Sequence, residues 1–372
     1  MDLDTLLTGL KQRRGSDLYL TADSPPLYRV DGATVAVEDR VWLAGEVESV
    51  IRAVLSPAES DEFDRTHELN LARALSGVGR FRLNVFRQRG QMGLVARLIP
   101  IDFPNAETLG LPASLIDLIM QKRGLILVTG ATGSGKSTTL AALIDHRNIH
   151  TRGHILTIED PIEFVHPHKG CVVTQREVGV DTVSFEAGLK SALRQAPDVI
   201  LIGEMRDLAT VEAAIHFAET GHLVLGTLHA NNANQAVERV MNFFSVEAHA
   251  QIYQQLALNL RGIVSQRLLP RSSGTGRVAA IEVMLNTPRI ADLIAKAEIA
   301  ALKEAIEANA QDGSRSFDQA LYDLYRGGLI TLDEALRQAD SANNLRIRIK
   351  LESAGQSAAE KPQFSLRQED QF

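Results

Sequence analysis

The stretch Leu125-Ile-Leu-Val-Thr-Gly-Ala-Thr-Gly-Ser-Gly-Lys-Ser-Thr138 decides the fold. It opens on apolar residues with the composition of a strand buried on both faces. Gly130-Ala-Thr-Gly-Ser-Gly-Lys-Ser137 then fits the pattern G-x-x-x-x-G-K-[ST] without a mismatch, and a helix-forming stretch from Thr138 to Asp145 follows. So short a pattern also arises by chance; the strand before it and the helix after it give it weight. Gly130, Gly133 and Gly135 let successive N–H groups turn inward around phosphate oxygens, and the helix N-terminus adds a favourable dipole. Lys136 can reach the β- and γ-phosphates, and the Ser137 hydroxyl can ligate Mg²⁺. Ala131, Thr132, Ser134 and Thr138 complete the loop and its first helical turn. The expected ligand is a nucleotide, ATP with Mg²⁺.

Three more apolar runs lie beyond the loop: Ile155–Ile158, Val199–Ile202 and Leu223–Leu225. Apolar runs of this length, separated by helical stretches, predict an α/β sheet with helices on both faces. Ligands of such sheets collect at the carboxyl ends of the strands. The run Ile155–Ile158 leads into Glu159-Asp-Pro-Ile-Glu163, and Val199–Ile202 into Gly203-Glu204. Leu223 leads on to Thr227-Leu-His229. A hydrolase needs a carboxylate at the Mg²⁺ site and a group to orient and deprotonate water. Glu204, at the end of an apolar strand, suits the first task. Glu163 and Glu159 both remain open for the second, because Pro161 stops them from being placed on one helical face. His222 and His229 flank the last strand and are candidates to hydrogen-bond phosphate or water.

The surroundings set limits. The chain has 372 residues, room for two domains, with 45% hydrophobic and 23% charged residues. Its formal net charge is −7, which argues against nucleic acid as a partner. The lone Cys171 excludes a disulfide framework and reads as a small residue in an apolar stretch. The acidic start Met1-Asp-Leu-Asp is unlike a secretory signal, and no run reaches the about 18 apolar residues of a membrane span. A cytoplasmic protein without direct membrane insertion is expected.

Residues 1–100 predict a small α+β domain. Leu3, Leu6, Leu7 and Leu10 have helical spacing, Gly15–Thr21 alternates like a strand, and Asp31-Gly32 suits a hairpin turn. Ser56-Pro57-Ala-Glu59 combines N-cap, N1 proline and capping-box glutamate. Phe81, Leu83 and Val85 face one way in a strand pattern running from Gly79 to Ile99. A linker is expected over 101–114 and the nucleotide domain over 115–350. Thr331-Leu-Asp-Glu334 is a second capping box, in a pair of helices broken at Gly327-Gly328. The segment 351–372 has no periodicity and is expected to be disordered.

With these elements in place the chain resembles the secretion-superfamily ATPases. The loop at Gly130–Ser137, Ile158-Glu-Asp-Pro-Ile-Glu163, Asp198-Val-Ile-Leu-Ile-Gly-Glu204 and Thr220–His229 occur in that family's order. Within it the chain is similar to the type IV pilus retraction ATPases PilT and PilU. Leu193-Arg-Gln-Ala-Pro-Asp198, His229-Ala-Asn-Asn-Ala233 and Ser341-Ala-Asn-Asn-Leu-Arg346 are PilU-like, whereas Gly203-Glu-Met-Arg-Asp207 is nearer PilT. The four-cysteine module usual in pilus-assembly and secretion ATPases is missing.

The resemblance implies an N-terminal PAS-like domain joined to a RecA-like P-loop ATPase domain, in a hexamer. It makes Glu163 the catalytic base, Glu204 the acid of the Mg²⁺ site, and His229 and Arg194 further members of the site. Arg80, Arg82, Arg97 and Arg206 join Arg194 as candidates to approach the γ-phosphate, some from a neighbouring protomer. The implied activity is ATP hydrolysis driving pilus retraction and twitching motility. The implied partners are a sister PilT-type ATPase and a PilC-like inner-membrane platform protein, which would hold the motor at the membrane periphery. An accessory subunit that binds nucleotide to assist a sister motor is the alternative.

Overall fold

A computed structural model describes residues 1–359. Its contacts divide the chain into two units: Met1–Ile126 with Ser137–Thr227, and Leu127–Lys136 with the chain from Leu228 onward. Among the described residues no helix is long and apolar enough to cross a membrane.

The first sheet is built from β1 (Asp17–Leu20), β2 (Leu27–Val30), β3 (Ala33–Ala36), β4 (Glu68–Leu75), β5 (Gly79–Gln88) and β6 (Gln91–Ile99). Their order is β3-β2-β1-β6-β5-β4, with antiparallel neighbours throughout. The β2–β3 turn has Asp31 at φ 49° and Gly32 at φ 84°, the two positive values that a two-residue hairpin requires. The helix Leu3–Gln12 begins where the Asp2 carboxylate accepts the Thr5 N–H, and it buries Leu3, Leu6, Leu7 and Leu10. At Ser56 both halves of the predicted capping box form, opening the helix Pro57–Thr66. These helices cover Phe81, Leu83 and Val85 of β5, with Trp42 and Phe63 in the same core. Alternation leaves Arg80 and Arg82 on the opposite face of β5.

The second sheet contains β7 (Gly124–Thr129), β8 (Gly153–Glu159), β9 (Cys171–Glu177), β10 (Val199–Ile202), β11 (Leu223–Leu228), β12 (Leu260–Pro270) and β13 (Arg277–Leu285). Its order is β13-β12-β7-β11-β10-β8-β9. In the first unit β9, β8, β10 and β11 run parallel, and β7, β10 and β11 are buried along their whole length. That burial on both faces is why their sequences are unbroken apolar runs rather than alternating ones.

In the second unit β12 and β13 form an antiparallel pair, against which the helices Phe317–Arg326 and Leu332–Gln338 pack through Phe317, Leu321 and Ala335. These two helices flank Gly327-Gly328 as the sequence suggests. At Thr331 the side chain caps as expected, through the Glu334 N–H, but the Glu334 carboxylate does not return the bond. It accepts from Arg337 and Gln338 instead, because a cation one turn ahead outcompetes the N-cap amide. A last helix runs from Ala342 to Ala359 and takes in the start of the stretch expected to be disordered. The remainder of that stretch lies outside the described residues.

Candidate nucleotide site

The glycine-rich loop belongs to the second unit and is backed by Gln266 of β12. Gly130 has φ 151°, and a Cβ there would sit 2.5 Å from the Gln266 carbonyl oxygen and 2.5 Å from Ser134 Oγ. Gly135, at φ 91°, would put a Cβ 2.7 Å from Gln266 Nε2. Backbone angle favours glycine at both positions, and at Gly130 the nearby main-chain oxygen leaves no room for a side chain either. Lys136 Nζ donates to the carbonyls of Gly130 (2.7 Å) and Ala131 (3.0 Å), which holds the ammonium over the loop. Ser134 Oγ is buried without a hydrogen-bond partner. Ala131, Thr132 and Gly133 are exposed along a cavity of about 300 Å³, whose far wall includes Asn231, Gln266, Arg267 and Gln338.

A turn of backbone with a cation on its rim and an unsatisfied hydroxyl fits a polyphosphate. Ser137 is exposed and Thr138 half-buried in the first turn of the helix Lys136–His150.

The acids lie in the first unit, beyond the ends of β8 and β10. Gly203 N–H donates 2.8 Å to the Ile158 carbonyl, and Met205 N–H 2.9 Å to the Thr227 carbonyl. Glu204 is thus held between the carboxyl ends of β8 and β11. The segment from Asp160 to Val165 has no regular secondary structure, so Glu159 and Glu163 share no helical face. Glu159 Oε1 accepts from Thr157 Oγ1 (2.6 Å) and Gln175 Nε2 (3.2 Å). Burial pushes the Glu159 carboxyl above its ordinary pKa, while these two bonds and the Glu163 N–H act in the opposite direction. Glu163 is exposed and stands in the electrostatic field of Arg97. Of the two acids left open by the sequence, Glu163 is the one that presents its carboxylate to solvent.

Among the described residues no group of three or more His, Cys, Asp or Glu side chains is arranged to hold a metal ion. A hydroxyl such as that of Ser137 and a carboxylate such as that of Glu204 are donor types that Mg²⁺ accepts beside water and phosphate oxygens.

The arginines divide. Arg80 pairs with Glu177 and Asp181, at 3.5 Å each, and Arg82 donates 3.0 Å to the Ile162 carbonyl. Arg97 bonds Asp17 at 2.7 Å, which holds its guanidinium above the usual arginine range. Arg206 bonds Asp160 at 2.8 Å and lies over the Phe185 ring. Arg194 is exposed on a short 3₁₀ turn, with no ion pair among the described residues.

One assignment is corrected. His222 precedes β11, and its ring rests on the Phe217 carbonyl and Thr220 Oγ1, each at 3.2 Å. The parallel register Val199↔Leu223 and Ile202↔Gly226 places Glu204 past the opposite end of these strands. At ~3.3 Å per residue His222 is separated from Glu204 by roughly 15–20 Å of strand. His222 caps the sheet's amino edge and is removed from the nucleotide-binding set. His229 directly follows the carboxyl end of β11.

Sequence reading missed Gln175, Gln266 and Arg267. None sits in a recognisable motif, and their strands carry Gln, Arg and Gly where a buried strand normally shows unbroken apolar residues.

The type II/IV secretion system protein family matches residues 111–337. The chain is 50% identical over 353 residues to the type IV pilus ATPase PilU of Pseudomonas aeruginosa, covering 95% of this chain and 92% of that protein. It is 42% identical to the type IV pilus retraction ATPase PilT of the same organism, covering 92% and 100%. The crystal structure of the pilus retraction motor PilT with bound ADP superimposes with a TM-score of 0.83 at 41% identity, over 92% of this chain and 98% of that one. That likeness accords with the two-sheet α/β fold, an N-terminal domain followed by an ATPase domain. The chain belongs to the type II/IV secretion system protein family, among its type IV pilus ATPases.

Proposed function

We propose that this chain is the Mg²⁺-dependent, ATP-hydrolysing subunit of a hexameric motor that powers type IV pilus retraction. The observation that carries the proposal is the loop from Gly130 to Lys136, where three glycines at positive φ turn the backbone beneath an ammonium group. The ADP bound to the related PilT supports a nucleotide as its ligand.

In this reading the loop amides and Lys136 hold the phosphates, and Ser137 with Glu204 holds Mg²⁺, which neutralises charge on the transferring phosphoryl group. Glu163 takes a proton from the attacking water, and His229 hydrogen-bonds the γ-phosphate or that water. Arg194 serves the site of a neighbouring protomer, where an arginine acting in trans is worth ~10³–10⁵ in rate. Hydrolysis changes the packing of the N-terminal domain, and the ring passes that change to an inner-membrane platform protein. The protein sits at the membrane through that partner.

A second reading follows from the chain's likeness to PilU as well as PilT: a nucleotide-binding subunit that assists a sister retraction ATPase. Native mass and phosphate release, measured on the purified chain with and without nucleotide, separate the two. A hexamer that turns over ATP alone supports the motor. A nucleotide-binding chain that releases phosphate only when mixed with a sister subunit supports the assistant.

A further inference from the structure

The segment from Glu159 to His166 carries Glu163, and beyond Glu159, the last residue of β8, it has no helix or strand to set its shape. A single side chain on the adjacent strand does much of that work. Gln175 lies on β9 opposite Thr157 of β8. Its Nε2 donates 2.8 Å to the Phe164 carbonyl and 3.2 Å to Glu159 Oε1, and its Oε1 accepts the His166 N–H at 2.8 Å. The two bonds accepted from Nε2 fix the amide orientation, since a flipped amide would set oxygen against both acceptors. Gln175 therefore grips the segment at its first residue, at its last, and at the residue just after Glu163.

We infer that Gln175 is a positioning residue for Glu163, holding the 159–166 segment so that the exposed carboxylate keeps one direction. The inference rests on Glu163 as the water-activating base of the proposed function. Other side chains also touch this segment. Arg82 holds it at Ile162, Arg206 at Asp160, and Phe103 packs edge-on against Phe164 and His166. A plain loop anchor would affect folding; a positioning residue acts on the chemical step while leaving the nucleotide's ground-state affinity alone.

The test uses Gln175→Met, which keeps length and loses every bond, and Gln175→Glu, which keeps the acceptor for His166 and loses both donors. Thr174→Val on the same strand, which loses only its bond to His154, is the control. Since misplacement of a catalytic group by about 1 Å can cost ~10²-fold, kcat should fall by roughly 10–100-fold in both Gln175 variants. Affinity for a non-hydrolysable ATP analogue should stay within about 3-fold of wild type in both. Thr174→Val should retain wild-type turnover.

Amide hydrogen exchange across residues 160–166 should accelerate in Gln175→Met. Unchanged exchange overturns the inference whatever the turnover does. Unchanged kcat with faster exchange also overturns it, leaving a loop anchor. A wild-type chain that releases no phosphate, yet shows faster exchange in the variant, refutes the proposed hydrolysis and leaves the strap standing. If Gln175→Met does not fold, Gln175→Glu carries both readouts.

Discussion

Arg82, on the N-terminal sheet, donates a 3.0 Å hydrogen bond to the main-chain carbonyl of Ile162, the residue before Glu163. The same guanidinium reaches toward Glu177 of β9, where Arg80 also pairs. Residues separated by eighty positions thus meet at the segment that carries the proposed base. A change in the N-terminal sheet has a direct path to that carboxylate.

Removing this link should slow turnover. Arg82→Ala deletes a charged donor, a bond worth about 1.5–3 kcal/mol in favourable cases, and frees the Ile162 carbonyl. Steady-state kinetics should show kcat lowered about tenfold with KM for ATP little altered. A raised KM at constant kcat would place Arg82 in nucleotide binding instead.

Gly130→Ala should be far more harmful than its size suggests. The new Cβ meets a backbone oxygen at 2.5 Å, and backbone cannot give way as a flexible side chain can. The expected result is loss of nucleotide-analogue binding by more than about tenfold, or loss of the fold, because overpacking costs ~1–3 kcal/mol and the left-hand φ adds more. Isothermal titration with the analogue, alongside a melting curve, checks both outcomes.

In the N-terminal core, Phe81→Ala should destabilise by about 3–5 kcal/mol, the cost of a large cavity among buried side chains. Chemical denaturation followed by far-UV circular dichroism would measure it. A shift under about 1 kcal/mol would mean that this core is not packed around Phe81.

Glu282 should give the protein a pH signature. It is buried on β13 and accepts the Ala233 N–H at 2.8 Å. Burial pushes its carboxyl up to about 7, with Asp340 adding to the rise and Arg267 opposing it. The folded state therefore holds a proton that the unfolded state gives up near 4.5. Its stabilisation is complete below that point and is lost as pH rises towards 7, by at most about 3 kcal/mol. His166 works against this, since burial lowers it to about 4 and its contribution is lost as pH falls from 6.5. The comparison of wild type with Glu282→Gln isolates the carboxyl. Melting temperatures of the two should diverge between pH 5 and 8, with the variant gaining on wild type as pH rises. Parallel curves would contradict a buried, protonated Glu282.

The loop at Gly130 and the acids after β8 and β10 were legible because each is a local pattern: apolar strand, then a polar turn with a defined task. The helices at Leu3, Ser56 and Phe317 were legible for the same reason, through spacing and caps. Strands β4, β9, β12 and β13 were not. Their residues include Asn70, Gln175, Gln266 and Arg267, whose place in a strand is set by distant partners rather than by local preference. His222 was misplaced by treating both flanks of one strand as neighbours of the phosphate, although a strand separates its two ends. Gln175 could be found only once its three partners were in view, since they lie nine to sixteen positions away along the chain.

The most direct measurement is ATP binding and phosphate release, with Mg²⁺, on wild type, Lys136→Ala and Glu163→Gln side by side. The nucleotide-site reading predicts that wild type binds and hydrolyses, Lys136→Ala does neither, and Glu163→Gln binds with near-normal affinity but releases no phosphate. Wild-type turnover in either folded variant would contradict it.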